Sequence, residues 1–308
     1  MSKFKLGKKR VILPNNTEGK YDELHTYGPC VVKDGAFYKM WYSGVDKNNR
    51  ERILYAISKD GINWQECQLV LDLGKNNSLA PYHQWNQDFL HVYAPYVLKF
   101  ESHYKMWYLG KYDENIYKLF YAISKDGTNW IKLGLSLDLQ FNAINVEGYN
   151  GRYDTHHCSY PFVWVDEDGI YNIYYTGKDG YNQRILRAYS FDGFHWFRQG
   201  LVLDISSRDS DSQDACYPFL LLDKNKNPKE MFYTGYDGTN KVTMFANTED
   251  KGKTWKKHGV VLSNSEEGPD SIHAFTPCVI KEGNLYRIWY SSYNGKHYQI
   301  CYVEGTKC

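Results

Sequence analysis

The chain has 308 residues, with 37 basic and 36 acidic side chains and a formal net charge of +1. Nucleic-acid and membrane-surface binders usually carry a basic excess, so we expect neither kind of partner. No apolar run approaches the roughly 20 residues of a membrane span, and the N-terminus has no secretory signal, which predicts a cytoplasmic protein. Seven cysteines without a C-x-x-C pair favour buried thiols over disulfides or a zinc-thiolate site.

A unit of about 60 residues recurs along the chain, and each unit opens with a proline and an apolar run. These prolines are Pro29, Pro95, Pro161, Pro218 and Pro277. A second phrase follows, such as "MWYSG" at Met40, and then a third, such as "YAISKDGINW" at Tyr55–Trp64, which leads into a segment that begins at the Trp. Turn residues between alternating apolar runs predict four short strands per unit. Five such units predict an all-β fold, a single five-bladed β-propeller over residues 1–308 with four antiparallel strands per blade.

The two ends of the chain predict how the ring closes. The last unit stops after its third strand, "QICYV" at Gln299–Val303, without a Trp-led strand. The segment Phe4–Pro14 matches the Trp-led strands at Trp130 and Trp255. We therefore expect the N-terminal strand to close the last blade, which removes two exposed sheet edges.

The turns carry a family resemblance. The Ser-x-Asp-Gly-x-x-Trp turns at Ser58, Ser124 and Ser190, and the turn at Thr248–Trp255, resemble the Asp-box hairpins of sialidases. With five units, the chain is more similar to the five-bladed glycosidase superfamily of invertases, arabinanases, xylosidases and mannoside phosphorylases. That resemblance implies a propeller fold and activity on a sugar at the central channel.

The catalytic pattern of that superfamily is missing. Its members usually carry an Asp directly before the first-blade proline and a Glu two residues before a later one. Here none of the residues at those positions is acidic; Gly28, for example, precedes Pro29. Catalytic residues therefore have to be sought among the residues that are present.

Two sets of polar residues stand in register with the prolines. Seven residues before each proline is an aspartate, and four before is a histidine or, once, an aspartate. The first set is Asp22, Asp88, Asp154, Asp211 and Asp270; the second set is His25, His91, His157, Asp214 and His273. Residues that lead into the innermost strand of a blade surround the channel mouth, where propellers bind ligands.

Each set admits more than one interpretation. The aspartates either cap a turn in every blade or contribute to a site. The histidines and Asp214 either form a hydrogen-bonded ring, or hold one divalent transition metal in the channel, or bind an anionic group of a sugar. Asp214 breaks the symmetry of its set and is therefore the first catalytic candidate.

The long loops before blades two and three supply the other candidates. The first loop carries Trp85, and the second carries Glu147, Tyr149, Arg152 and His156. An aromatic ring can stack on a sugar face and an arginine can orient a hydroxyl or carboxylate; with His156 and Asp88 they form the predicted substrate-binding set. A glycosidase needs two carboxyl groups about 5–9.5 Å apart, and Asp154 with Asp214, or Glu147 with Asp22, could supply them.

Three functions remain open from the sequence. The first is a carbohydrate-active enzyme, a glycoside hydrolase, phosphorylase or transferase acting on a small or oligomeric sugar at the channel mouth. The others are a metal-dependent enzyme of another class that uses the His/Asp ring, and a carbohydrate-binding propeller without catalysis. Near-fivefold symmetry favours the last, whereas the unequal loops favour the first.

Overall fold

The computed structural model describes residues 4–14, 20–74, 88, 90–113, 116–139 and 153–308, the side chains of residues 66, 67, 112 and 113 excepted. Within these ranges the regular structure is entirely β: there are twenty-one strands and no helix. None of the described residues forms a helix that could cross a membrane. The all-β prediction is confirmed.

The strands follow the repeated phrases of the sequence. We number the repeats 1 to 5 by their prolines. The N-terminal strands are β1 (Phe4–Leu6) and β2 (Arg10–Leu13). Repeat 1 has β3 (His25–Asp34), β4 (Phe37–Val45), β5 (Glu51–Ser58) and β6 (Gln65–Leu71); repeat 2 has β7 (His91–Lys99), β8 (Tyr104–Asp113), β9 (Ile116–Ser124) and β10 (Trp130–Leu137). Repeat 3 has β11 (His157–Val165), β12 (Tyr171–Lys178), β13 (Gln183–Ser190) and β14 (Phe197–Leu203); repeat 4 has β15 (Asp214–Leu222), β16 (Pro228–Tyr236), β17 (Lys241–Asn247) and β18 (Lys256–Leu262). Repeat 5 has β19 (His273–Glu282), β20 (Leu285–Tyr293) and β21 (Tyr298–Lys307).

Consecutive strands of each repeat pair antiparallel. In repeat 1, for example, β3 pairs with β4, β4 with β5 and β5 with β6. Successive side chains of a strand point to opposite faces of the sheet, and the large aromatic residues of the second strands lie on a buried face. Among them, Trp41, Trp107 and Trp289 are fully buried. Hydrophobic clusters join neighbouring repeats: one combines Trp41 of repeat 1 with Met106 of repeat 2.

The N-terminal segment pairs with the last strand of the chain. Strand β1 lies antiparallel to β21, with Phe4 opposite Lys307, and β2 continues along the same strand, with Arg10 opposite Tyr302. The predicted pairing is confirmed. Phe4 takes the place of a repeat tryptophan and packs edge-on against Phe232, Phe245 and Tyr286.

The Asp-box turns connect neighbouring repeats. In the first turn, Oδ1 of Asp60 accepts the backbone N–H groups of Ile62 and Asn63, both at 2.8 Å. The carbonyl of Gly61 in this turn accepts the indole N–H of Trp289 of repeat 5 at 2.8 Å. The same contact joins Trp41 of repeat 1 to Gly127 of repeat 2 at 2.7 Å. These turns therefore have a structural role, and the last repeat contacts the first.

Candidate functional site at the convergence of the five first strands

The prolines bring the first strands together. All five line one small cavity of about 40 Å³, which we call the proline cavity. Across each proline the pairing of the first and second strands shifts in register, for example between Tyr93 and Tyr96 on either side of Pro95. Ala94 at this bulge has a φ of 48°, in the left-handed region that non-glycine residues rarely adopt. Such bulges redirect side chains and are common beside functional sites.

Four of the five bulges are hydrogen-bonded to a hydroxyl group of a neighbouring repeat. The N–H of Ala94 donates to the hydroxyl of Ser43 at 2.9 Å, and the N–H of Tyr217 donates to Thr176 at 2.8 Å. The polar side chain comes from the second strand of the preceding repeat in both cases. The strained backbone is thereby held in place by hydrogen bonds between repeats.

Two larger cavities adjoin the bulges. The first, of about 380 Å³, is lined by Glu51 among other residues and is called the Glu51 cavity. The second, of about 220 Å³, is lined by Lys178 and is called the Lys178 cavity. Four tyrosines line both cavities: Tyr93, Tyr117, Tyr160 and Tyr217. The two cavities are therefore parts of one aromatic-walled site. Tyr160 and Tyr217 also line the proline cavity.

Glu51 is the carboxylate of this site. It is the one acidic residue among the described residues that line the two cavities. The hydroxyl of Tyr27 donates to its Oε1, and Nδ1 of His91 lies 3.0 Å from its Oε2. The same Nδ1 is 3.4 Å from the backbone N of Glu51. One nitrogen cannot both donate to the carboxylate and accept from the amide, and the shorter contact favours donation to the carboxylate.

Sequence reasoning missed Glu51 because it lies outside the repeated phrases. It begins the third strand of repeat 1, and the structurally equivalent positions in repeats 2 to 5 hold four residues that differ from it: Tyr117, Gln183, Lys241 and Tyr298. The sequence nevertheless contained a signal, namely a position that varies from repeat to repeat next to phrases that recur. In a repeat protein, such a variable position is where an asymmetric ligand can be recognised. All five of these residues line the cavities.

The predicted His/Asp ring lies at the start of the five first strands. Oδ1 of Asp214 accepts the backbone N–H of Gln183 at 2.7 Å, and its Oδ2 accepts the Gln183 side-chain amide at 3.1 Å. Nδ1 of His25 lies 3.3 Å from the backbone N of Tyr298, and Nδ1 of His273 lies 3.1 Å from that of Lys241. Aspartate Oδ1 and histidine Nδ1 are the same number of covalent bonds from the backbone, so either atom can accept a hydrogen bond from the backbone N–H of the neighbouring repeat. The ring therefore connects adjacent repeats, and the catalytic role predicted for Asp214 stays a prediction.

No cluster of three or more His, Cys, Asp or Glu side chains that could hold a metal ion occurs within the described ranges. His25 and His91 line the Glu51 cavity, and His157 lines the Lys178 cavity, whereas Asp214 and His273 line neither. The predicted ligand set of His25, His91, His157, Asp214 and His273 is thus divided over the ring. The described residues therefore give no support to the metal site predicted for the ring.

Burial lowers the pKa of three of these histidines. The pKa of His157 falls to about 4 because burial and the positive charges of Lys178 and Lys111 oppose protonation. Burial also lowers the pKa of His25 and of His273, and the nearby Lys241 adds to the effect at His273. Near neutral pH these imidazoles are uncharged hydrogen-bonding groups.

The fold is expected to lose stability as the pH falls from 7.5 to 5. The unfolded chain takes up a proton on His157 below about pH 6.5, whereas the folded chain does so only nearer pH 4, and the lowered pKa values of His25 and His273 act in the same direction, so acid favours unfolding in that window. For the partly exposed His157 we expect about 1–2 kcal/mol. Urea unfolding at both pH values tests this: His157→Gln should reduce the pH dependence, and the same change at His103, which lies outside the ring and is only partly buried, should not. An equal slope in wild type and His157→Gln would contradict it.

The five aligned aspartates are buried away from the cavities. Each lies against the hydroxyl of a second-strand tyrosine; Tyr175, for example, donates to Asp154 at 2.8 Å. In repeats 2 to 5 a cation also pairs with the aspartate, at 2.6 to 2.7 Å, and these cations are Lys132, Arg198, Lys257 and Lys9. Repeat 1 has Glu66 at the position of Lys132, and burial raises the pKa of Asp22. Asp22, Asp88 and Asp154 line neither large cavity, and the catalytic and substrate-binding roles predicted for them stay predictions.

The loop candidates have different outcomes. Trp85, Glu147, Tyr149 and Arg152 lie outside the described residues, so their predicted roles stay predictions. His156 is described and exposed; its Nδ1 lies 2.9 Å from the hydroxyl of Thr155. It lines neither large cavity.

The fold is similar to that of solved glycoside hydrolases and phosphorylases. Over 98% of this chain and 92% of the other, the structure superposes on a solved glycoside hydrolase with a TM-score of 0.74 at 16% identity. It also superposes on the β-1,2-mannobiose phosphorylase of Listeria innocua, over 92% of this chain and 90% of that one, with a TM-score of 0.68 at 12% identity. The resemblance to glycoside hydrolases and mannoside phosphorylases is thus confirmed, and at these identities it establishes the fold alone.

One of two sequence relatives is also named a phosphorylase. A 1,2-β-oligomannan phosphorylase of Thermoanaerobacter is 24% identical over 182 residues, 55% of this chain and 58% of the relative. An uncharacterized protein of Mycobacterium tuberculosis is 30% identical over 164 residues, 50% of this chain and 47% of the relative. The chain therefore aligns with only about half the length of these curated relatives. No family profile matches the sequence.

Proposed function

We propose that this chain is a five-bladed β-propeller, with its five repeats as blades in a single domain, and that it cleaves or transfers a glycosyl group at the mouth of the central channel. The ring arrangement is supported by the five prolines around one cavity and by the contact between repeats 5 and 1. Its N-terminal strands complete the fifth blade by pairing with β21.

One observation carries the functional proposal. The framework positions repeat nearly unchanged around the ring, whereas the residues that face the two large cavities differ from repeat to repeat. A lectin propeller would repeat one pocket per blade. A single asymmetric site is what chemistry on a chiral sugar requires, and the tyrosine rings offer apolar faces and hydroxyls suited to a pyranose.

Glu51 is the group that we assign to acid–base catalysis. Tyr27 and His91 donate to its two oxygens, so the carboxylate is oriented before a substrate arrives. In the protonated form it could deliver a proton to the leaving glycosidic oxygen, and in the ionised form it could accept one from the attacking group. The undescribed segment 140–152 contains Glu147, which the proposal retains as the candidate for a second carboxyl group.

A substrate screen tests the proposed activity. Two of the similar proteins, the 1,2-β-oligomannan phosphorylase and the β-1,2-mannobiose phosphorylase, are named for β-1,2-linked mannose oligomers. These sugars therefore head the panel, followed by other disaccharides and oligosaccharides, each with and without inorganic phosphate. We expect bond cleavage with at least one linkage, and the product, a free sugar or a sugar 1-phosphate, identifies the attacking group. Failure to turn over any member, together with no binding in a glycan array, would contradict the proposal.

A further inference from the structure

We infer that the sugar substrate itself carries an anionic group, a carboxylate or a phosphate ester, that binds in the Lys178 cavity while the scissile bond lies beside Glu51. This inference rests on the proposed function, since it assumes that a sugar spans both cavities. The four tyrosines that line both cavities make such a span continuous.

The charges of the site are unevenly distributed. The Glu51 cavity is lined by Glu51 together with Lys111 and Lys241. The Lys178 cavity is lined by Lys178, which ends the second strand of repeat 3, and by no acidic residue among those described. Lys178 and Lys241 have no ion-pair partner among the residues that the structure describes. Lys241 instead packs over aromatic rings, 5.3 Å from the centroid of Phe275 and 5.8 Å from that of Tyr217.

The Lys178 cavity has the composition of an oxyanion site. Its described lining holds one ammonium group and no carboxylate, together with Ser159, His157 and Gln183. Lys178 pairs across the strands with His157 on one side and Gln183 on the other, so three polar side chains stand next to one another at the edge of the cavity. Ser159 contributes a hydroxyl that is largely buried.

A partly buried ammonium group favours an anionic ligand. Removing an ammonium group from water costs free energy unless an opposite charge or several acceptors replace the lost hydration. An oxyanion on the substrate would accept charge-assisted hydrogen bonds from Lys178 and a hydrogen bond from Ser159. A neutral sugar at the same place would leave that charge uncompensated, which gives the site a preference for acidic sugars.

Calorimetric titration of the purified full chain tests the inference. The probes are glucuronate, galacturonate and mannuronate, the 6-phosphates of the parent hexoses, the neutral hexoses and inorganic phosphate. We expect at least one acidic sugar to bind more tightly than its neutral parent, by about tenfold or more, as is typical of hydrogen bonds to a charged group. The sugar carboxylates and the sugar phosphates separate the two sources of the charge.

Two variants test whether Lys178 causes the preference for acidic sugars. Lys178→Met keeps the length of the side chain without its charge and should remove the preference for the acidic sugar over its neutral parent. Lys125→Met removes an exposed lysine in the Asp-box turn of repeat 2 and should change neither affinity. Melting temperatures of both variants show whether the fold is retained.

Several outcomes would overturn the inference. They are equal affinity for acidic and neutral sugars, tight binding of inorganic phosphate with no preference among sugars, or an unchanged preference in Lys178→Met. The inference can fail while the proposed function stands, if a neutral oligosaccharide is cleaved in a Glu51-dependent way. The proposed function can fail while the inference stands, if acidic sugars bind through Lys178 and no glycoside is turned over.

Discussion

Glu51→Gln is expected to reduce kcat by about a thousandfold, because it removes the proton-transfer group and leaves its shape. The amide oxygen of the glutamine can still accept a hydrogen bond from Tyr27 or from His91, so the fold should persist. The other donor then faces the amide NH2 group instead of an acceptor, which should lower the free energy of unfolding by about 1 kcal/mol. Initial rates on the substrate found by screening, together with a melting curve, measure both effects.

A matched control separates the loss of this carboxyl group from the change in the protein's net charge. Glu249→Gln makes the same change at an exposed position in the Asp-box turn of repeat 4 and should leave kcat and melting temperature unchanged. Full activity of Glu51→Gln would contradict the role that we assign to this carboxylate. If Glu51→Gln loses both activity and folding, Glu51→Asp distinguishes the two causes. This variant keeps a carboxyl group, so it should retain the fold and recover part of the rate.

Deletion of residues 1–14 is expected to unfold the protein or lower its melting temperature severely. The deletion removes both strands that pair with β21 and the Phe4 ring that packs against three aromatic side chains. Loss of the apolar burial alone costs about 1.5–3 kcal/mol per large side chain. The deletion also removes Lys9, which pairs at 2.7 Å with the fully buried Asp270.

A single substitution isolates the ion-pair contribution. Lys9→Met should lower the free energy of unfolding by about 3 kcal/mol, because Asp270 keeps its hydrogen bond from Tyr290 but becomes a buried charge without a counter-ion. Lys8→Met, at the exposed neighbouring position, should have almost no effect. Urea unfolding measures both variants. A deletion protein with an unchanged unfolding curve would contradict the predicted closure.

The fold could be predicted further than the site. The phrases around Met40 and Tyr55 are local signals, since strand alternation and an Asp-box turn are written within ten consecutive residues. The pairing of Phe4–Leu6 with the last strand was also predictable. The last unit lacks a Trp-led strand, and the extra segment at the start of the chain resembles the Trp-led strands of the other units. Such repeats reveal themselves by comparison within one chain.

Regularity was a poor guide to the functional residues. The aligned aspartates recur in all five repeats because each meets a tyrosine hydroxyl, as Asp154 meets Tyr175. The second-strand tyrosines recur as well, so this pairing could have been read from the phrases. Glu51 could not be singled out in the same way, because its importance depends on the bulges that direct Tyr27 and Tyr93 toward it and on the approach of His91 from the next repeat.

The most direct test of the central claim is a crystal structure of Glu51→Gln with the substrate identified by screening. We predict electron density for one sugar ligand per chain, in contact with Tyr93 and Tyr160, with the scissile bond within hydrogen-bonding distance of residue 51. Sugar bound instead in equivalent pockets between successive repeats, with the Glu51 cavity empty, would contradict the account and indicate a carbohydrate-binding propeller without catalysis.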